Sequence, residues 1–202
     1  MPETEPAPAA QPTQAATLSD AVLLRYVVER RPGALAELYD RYASTLLALA
    51  RRILGGSSEA DDVLQEVFVH VWNHAARYDP SRSSVSTWLV LITRSRAIDR
   101  LRNRKVVERT HEAAHLAHPA EHASSEGVEA VFLRERRERV RREMANLPPE
   151  QRQVLEMAFY QGLTQSEIAA QTDLPLGTVK TRTLLAMKKL RSALRAEIRQ
   201  LL

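Results

Sequence analysis

The chain has 202 residues, a length that suits one large or two small domains. Its six glycines and three phenylalanines argue against a sheet-rich fold, and its abundant Ala, Leu, Arg and Glu favour helices. The absence of cysteine excludes disulfides, Cys-ligated zinc and cysteine nucleophiles, and a net charge of +4 is only weak evidence for a nucleic-acid partner.

The N-terminal residues 1–17 are rich in proline and contain no aromatic side chain, so we predict a disordered tail. This start lacks the basic segment and apolar run of a secretory signal. No stretch of the sequence approaches the roughly 20 apolar residues that span a bilayer. We therefore expect a soluble, cytoplasmic protein without membrane insertion.

Two helices are predicted at the start of the first domain. Ser19 or Asp20 can cap a helix that runs to about Arg31. Pro32 then breaks the chain and suits the first turn of a second helix, which ends at Gly55-Gly56.

The segment 59–74 carries the clearest helical pattern in the sequence. Its apolar residues recur at i, i+3, i+4 and i+7 and form one continuous stripe: Ala60, Val63, Leu64, Val67, Phe68, Val71 and Trp72. Trp72 is therefore predicted to be a core residue. The other face is acidic at Glu59, Asp61, Asp62 and Glu66. Negative charge suits a helix N-terminus, so the pattern alone indicates no more than a solvated face.

A basic helix is expected after an irregular segment. Proline and serine interrupt the helical pattern between Asn73 and Thr87, which predicts a loop, and a helix should follow from Trp88 to about Arg104. Residues 88–105 hold six basic side chains and one acidic one. Such a stripe can bind phosphates, although a solvated face fits the pattern equally well.

Residues 105–146 are predicted to form a flexible interdomain linker with at most partial helix. Four histidines stand there at a helical spacing that can hold zinc or nickel: His111, His115, His118 and His122. Pro119 breaks such a helix and no cysteine supports the site, so ordinary linker composition is favoured over metal or pH sensing. His70 and His74 also stand four residues apart, but no third ligand is apparent. We expect no metal, cofactor or catalytic residue.

A helix-turn-helix pattern occupies the C-terminal part of the chain. Pro149 suits a helix start, and Thr164 and Glu167 form a capping box in which each side chain satisfies the other's backbone amide. Small and apolar residues follow at offsets that let two short helices pack at a steep angle: Ile168, Ala169, Leu174 and Val179.

The second helix of this pattern is strongly basic. Starting near Leu176, it presents a first turn of the kind that meets base edges and phosphates, with Thr178, Lys180, Thr181 and Arg182. Residues 176–199 hold seven basic side chains and one acidic one. A structural three-helix domain that does not bind DNA is the alternative.

Two long motifs in this order resemble the sigma-70 family, and specifically its extracytoplasmic-function (ECF) group. The first block resembles region 2 through Ala60-Asp61-Asp62-Val63-Leu64-Gln65-Glu66-Val67-Phe68, Trp72, Trp88-Leu89 and Arg96-Ala97-Ile98-Asp99-Arg100-Leu101-Arg102. The second resembles region 4 through Leu147-Pro148, Gly162-Leu163-Thr164-Gln165-Ser166-Glu167-Ile168-Ala169 and Pro175-Leu176-Gly177-Thr178-Val179-Lys180-Thr181-Arg182.

The resemblance implies an all-α protein of two small helical domains, 18–104 and 147–202, joined by the flexible linker 105–146. It implies a sigma factor that binds core RNA polymerase through the β′ clamp helices and the β flap. Such a factor recognises the −35 and −10 promoter elements, promotes DNA melting and is regulated by an anti-sigma factor.

Each site residue receives its role from the same resemblance. The surface that docks on the β′ clamp helices corresponds to Asp61, Asp62, Gln65 and Glu66. The residues that read and open the −10 element correspond to Tyr78, Asp79, Arg82, Ser83, Ser84, Trp88, Arg94, Arg96 and Arg100. The reader of the −35 element corresponds to Thr178, Lys180, Thr181 and Arg182.

Two departures from the family pattern bear on the second domain. Asp173 stands where relatives place glycine, and Asp tolerates the left-handed backbone conformation better than most residues. Leu184 and Leu185 stand where relatives often carry a basic or aromatic side chain, and Leu185 could belong to the core.

Other classes of protein are possible on the sequence. A stand-alone helix-turn-helix regulator would use 150–199 for DNA and 20–104 for signal sensing. An adaptor or anti-sigma partner would bind protein only, which leaves both basic helices unexplained. An enzyme is disfavoured because the sequence has no phosphate-binding glycine loop, nucleophile–base pair or metal-ligand set.

Overall fold

The computed structural model of the chain describes residues 18–56, 58–110 and 138–195, with the backbone alone for 105–110. Every regular element in these ranges is a helix, which confirms the predicted all-α class. The predicted N-terminal tail lies outside the described residues, as do most of the predicted linker and its four histidines.

Four α-helices and a short 3-10 helix build the first domain. They are α1 (Asp20–Val28), α2 (Ala34–Leu54), α3 (Glu59–His74), the 3-10 helix (Ala75–Arg77) and α4 (Val85–Thr110). The long helix α2 is central and packs against α1, α3 and α4. Leu38, Leu46 and Ala50 of α2 are completely buried, because its apolar residues recur at helical spacing towards the other three helices.

The apolar stripe of α3 is buried as predicted except at its last member. Trp72 is 37% exposed. The guanidinium of Arg30 lies 4.2 Å from the centre of the indole ring, and its Nη1 donates to the Trp72 carbonyl at 2.9 Å. The prediction that Trp72 belongs to the core is therefore wrong. It lies at the edge of the bundle, where a cation can stack on its face and stay hydrated.

Several helix ends differ from those predicted. The helix α1 ends at Val28 rather than Arg31. Pro32 lies outside α2, because Gly33 at φ 79° is the residue that turns the chain into the helix. The helix α4 begins at Val85, where the Ser84 hydroxyl accepts the Thr87 amide at 3.3 Å. It continues to Thr110, six residues past the predicted domain boundary at 104.

A helix, α5, is described at 138–145, within the predicted linker 105–146, and the second domain that follows contains three further helices. These are α6 (Pro149–Tyr160), α7 (Gln165–Thr172) and α8 (Leu176–Ala193), which pack on one another. Their core contains Val154, Met157, Ile168 and Val179. Pro149 stands at the start of α6 and the second helix of the motif begins at Leu176, as predicted.

The predicted features of the helix-turn-helix are confirmed. The Glu167 amide donates to the Thr164 hydroxyl at 3.2 Å, and the Thr164 amide donates to the Glu167 carboxylate at 2.7 Å. Asp173 occupies the left-handed region at φ 53°, so the turn forms without glycine. The following Leu174 amide bonds back to the Ala169 carbonyl at 3.1 Å and closes the turn.

Candidate polymerase and promoter surfaces

The acidic face of α3 lies opposite the basic stripe of α4. Glu66 accepts from Arg96 Nη1 at 3.2 Å and from Arg100 Nη2 at 2.5 Å. Arg100 Nη1 also lies 3.8 Å from the Asp62 carboxylate. Asp62 and Glu66 therefore form one ion-pair network with Arg96 and Arg100. The family resemblance assigns the two acidic residues to polymerase and the two arginines to the −10 element. These side chains line an open groove between the two helices.

Asp61 pairs on the other side of α3. Its carboxylate oxygens lie 3.4 and 3.5 Å from Nη2 of Arg51 on α2. The Asp61 side chain is still 53% exposed, and Gln65 is also exposed. Sequence reasoning missed Arg51, because nothing in a helical pattern shows which residue of another helix lies beside it.

Aromatic rings gather at one end of the groove. The rings of Tyr78 and Trp88 are tilted with their centres 5.5 Å apart, and His70 lies 6.5 Å from Trp88. His70 stacks on His74 at 4.3 Å, and the described residues contain no group of three metal-ligating side chains that could include this pair. We call Tyr78, Trp88 and His70 the aromatic corner.

The protonation of His70 follows from its neighbours. Arg96 Nη2 lies 3.2 Å from His70 Nδ1. A guanidinium only donates, so Nδ1 accepts and the ring is neutral with its proton on Nε2. Burial lowers the pKa of His70, and the charges of His74, Arg96 and Arg77 lower it further. The His70 ring therefore adds no charge to the aromatic corner.

The loop between α3 and α4 is held by its own side chains. The Tyr78 hydroxyl donates to the Ser83 carbonyl at 2.8 Å. Asp79 accepts from the Ser81 hydroxyl at 2.7 Å and the Ser81 amide at 2.9 Å, and these bonds hold the pKa of its carboxyl below the ordinary value. Burial raises the pKa of the Tyr78 hydroxyl, with the Asp20 and Asp79 charges adding to the effect. Arg82 is exposed at the tip.

Arg94 does not lie with the other residues assigned to the −10 element. Its Nε donates to the Phe159 carbonyl at 3.0 Å and its Nη2 to the Ala158 carbonyl at 2.7 Å. Arg94 precedes Arg96 by two residues, so it points to a different side of α4. The structure therefore places it against the second domain and outside the groove.

The first two turns of α8 present the residues assigned to the −35 element. Lys180 and Thr181 are exposed, and Thr178 and Arg182 are half-buried. The Thr181 hydroxyl donates to the Gly177 carbonyl at 2.9 Å. Val179 is buried between them in sequence, so Lys180 and Thr181 project away from the core, whereas Arg182, three residues after Val179, lies partly against it.

Further along α8, two leucines lie outside the core. Leu184 is 69% exposed and Leu185 is 42% exposed, so the suggestion that Leu185 belongs to the core is wrong. These side chains lie one turn beyond the basic residues. The basic residues of α8 therefore border an exposed apolar surface.

Comparisons with known proteins identify the family. The model of sigma-70 region 2 matches residues 38–106, and that of sigma-70 region 4 matches residues 137–190. The chain is 33% identical over 164 residues to the ECF RNA polymerase sigma factor SigK of Mycobacterium sp. (strain KMS), covering 80% of this chain and 83% of that protein. It is 35% identical over 170 residues to the ECF RNA polymerase sigma factor RpoE of Cereibacter sphaeroides, covering 84% of this chain and 91% of that protein.

One solved structure of a relative is the complex of Rhodobacter sphaeroides SigE with the anti-sigma ChrR. Its SigE chain is 33% identical, with 86% of this chain and 97% of that chain covered and a TM-score of 0.43. The chain belongs to the sigma-70 family. Within that family it is an ECF RNA polymerase sigma factor, a regulator of transcription. Among the described residues, no helix has the length and apolar character needed to cross a membrane.

Proposed function

We propose that this sigma factor binds its partners through three surfaces: the acidic edge of α3, the aromatic corner and the first two turns of α8. Core polymerase would bind the first, the melted −10 element the second and the −35 element the third. The observation that carries the proposal is that α3 bears both the acidic edge and His70 of the aromatic corner, while Trp88 of the corner stands on the neighbouring α4. Polymerase docking and strand opening would then occur side by side.

The acidic edge of α3 suits a partner with basic and polar side chains. Asp61, Asp62 and Gln65 are exposed and supply the outer contacts. Glu66 is held from within by Arg96 and Arg100, so its carboxylate keeps one orientation. We propose that this edge binds the β′ clamp helices. Contacts with the β flap would belong to the second domain.

The aromatic corner suits unpaired bases. Tyr78 and Trp88 offer ring faces at a tilt, and base–aromatic stacking contributes about 1–3 kcal/mol per base. Arg82 at the loop tip adds a cation for the flanking phosphates. Ser83, Ser84 and Asp79 shape the loop by hydrogen bonds, so their role would be to position Tyr78 rather than to read bases.

The first two turns of α8 suit duplex DNA, because a helix of this kind fits the major groove. Lys180 and Arg182 would contact phosphates or guanine edges, and Thr178 and Thr181 would make shorter contacts. The chain itself would catalyse no reaction, since bond formation belongs to the polymerase. It would therefore act in the cytoplasm, where the polymerase works.

An anti-sigma protein would keep the free factor inactive. The relative SigE has been seen in complex with the anti-sigma ChrR. In this chain the exposed Leu184, Leu185 and Met187 of α8 supply an apolar patch beside the basic residues. We propose that an anti-sigma partner covers this patch and so blocks the −35 reader.

Run-off transcription with purified core polymerase over a promoter library tests the proposed function. We expect new start sites that appear only when the chain and the core enzyme are both present. Replacing Asp61 and Asp62 by lysine should abolish co-purification with core, while the matched Asp40→Lys, Asp99→Lys protein should bind normally. Tight binding to duplex DNA without core, together with no new start sites, would favour a stand-alone regulator instead.

A further inference from the structure

The exposed face of α8 combines polar and apolar residues. Val179 and Ala186, seven residues apart, are buried and mark the face that is turned towards the rest of the domain. The opposite face is exposed, and its residues follow one another at helical spacing. It includes Gly177, Thr181, Leu184 and Leu185. We call these four residues the outer stripe.

Two cations flank the outer stripe. Lys180 precedes Thr181 by one residue and Arg182 follows it by one, so at about 100° per residue their side chains leave the helix on opposite sides of the stripe. An α-helix with its side chains is about 10–12 Å across, and the major groove is about 12 Å wide. With one cation near each phosphate backbone, the outer stripe is the part of α8 that meets the base edges.

The start of the outer stripe allows DNA to come close. A Cβ on Gly177 would meet nothing within 4 Å, so packing does not require glycine there, and the missing side chain leaves space for a ligand. The Thr181 hydroxyl donates to the Gly177 carbonyl at 2.9 Å. Because its proton is used within the helix, Thr181 offers a base only an acceptor oxygen and a methyl group.

The two leucines make the end of the outer stripe apolar. Leu184 is 69% exposed and Leu185 is 42% exposed. Neither side chain has a donor or an acceptor, so neither can pair with the polar groups that bases present in the major groove. The C5-methyl group of thymine is the only apolar group among them. Over a cytosine, the leucines would leave the N4 amino group without a partner, which costs free energy.

We propose that Leu184 and Leu185 read the methyl groups of thymines in the −35 element and select T·A over C·G pairs there. The inference rests on the proposed function, because it supposes that α8 lies in the major groove of this element. The leucines follow Thr181 by three and four residues, which is about 5–6 Å along the helix and about one to two base-pair steps. The thymines therefore lie beside the base pair that Thr181 contacts.

The same leucines belong to the apolar patch that the anti-sigma partner would cover. DNA and this partner cannot occupy the two side chains at once. Covering the patch therefore removes a base-reading contact in addition to blocking the access of DNA to α8.

Deoxyuridine tests the proposal, because it lacks only the methyl group of thymine and keeps its pairing edge. The probe is a promoter selected by run-off transcription with core polymerase, in which each thymine of the −35 element is replaced singly on either strand. We expect the affinity of the holoenzyme to fall about 4-fold at one or two adjacent positions and to change little elsewhere. Where a C·G pair replaces the T·A pair, 5-methylcytosine should recover part of the lost affinity.

Protein variants assign the effect to the two leucines. The Leu184→Ala, Leu185→Ala protein should bind the natural promoter more weakly and lose no further affinity with deoxyuridine, because the methyl group no longer has a partner. Val140→Ala, which shortens an exposed apolar side chain of α5, should keep the full loss. Lys180→Ala should bind more weakly and also keep it, which separates weak binding from loss of methyl reading. Circular dichroism should show the same helix content in all these proteins.

The outcomes separate this inference from the proposed function. A natural chain that gives core polymerase no start site dependent on a −35 element would overturn the proposed function, and the inference with it. If such a promoter is found but deoxyuridine never changes the affinity, or if the change persists in the Leu184→Ala, Leu185→Ala protein, the leucines do not read thymine. A selected −35 element without any T·A pair would likewise overturn the inference.

Discussion

Glu66 lies between two arginines of a neighbouring helix, and its role depends on both. Alone on an exposed helix face, a glutamate contributes little to stability and varies in conformation. Here Arg96 and Arg100 hold the carboxylate from one side and leave the other side for a partner. The same arginines lie beside the aromatic corner, so a change at Glu66 should affect both the acidic edge of α3 and the aromatic corner.

Glu66→Gln removes the charge and keeps the size of the side chain. Arg96 and Arg100, which are both on α4, then lose the carboxylate that they share, and Asp62 remains near Arg100 alone. We therefore expect the free energy of unfolding to fall by about 0.5–1 kcal/mol. Binding to core polymerase should weaken as well. Urea unfolding and a core pull-down measure the two effects.

The control for this substitution is Asp99→Asn, which removes an exposed negative charge from α4 outside the network. It should leave both measurements unchanged. A Glu66→Gln protein with the stability and core affinity of the Asp99→Asn protein would show that the network does not position Glu66.

At the scale of the element, the first two turns of α8 combine the buried Val179 with the exposed Lys180 and the half-buried Arg182. Val179 fixes the helix against α6 and α7, and this burial determines which face is left for DNA. The capping box of α7 fixes the start of the preceding helix. Together they orient Lys180 and Arg182.

Lys180→Ala with Arg182→Ala should weaken binding of the holoenzyme to a promoter that depends on the −35 element. Loss of two phosphate contacts makes the negative slope of log K against log salt shallower by about 1.8, because fewer counterions are released. The measurement is promoter binding over a salt series. The matched Lys188→Ala, Lys189→Ala protein is altered further along α8. Its salt dependence should stay closer to that of the natural protein than the salt dependence of the Lys180→Ala, Arg182→Ala protein does. Equal slopes in the two proteins would contradict the assignment.

Helical periodicity predicted α3, α7 and α8, because that signal comes from residues three and four apart. The capping box and the left-handed turn at Asp173 also depend only on residues close together in sequence, and both were predicted. The pairing of Glu66 with Arg96 joins residues 30 apart, and that of Arg102 with Gly162 joins residues 60 apart. No periodicity encodes such contacts, so the ion-pair network and the docking of α6 became visible only in the fold.

At the scale of the whole molecule, two unequal domains share one chain. Among the described residues, the core cluster of the first domain draws on four helices and more than twenty buried residues, whereas that of the second contains four buried residues. Burial of apolar area is the main source of stability, so the second domain depends more on local features such as the capping box and on its contact with α4.

The position of the two tryptophans provides a means to follow each domain separately. Trp72 and Trp88 are the only tryptophans of the chain, and both lie in the first domain. Intrinsic fluorescence therefore reports the unfolding of that domain alone, while far-ultraviolet circular dichroism reports the helices of both. Because the smaller core should melt first, ellipticity is expected to decline at a lower temperature than the fluorescence signal changes. Coincident transitions would mean that the two domains unfold as one cooperative unit.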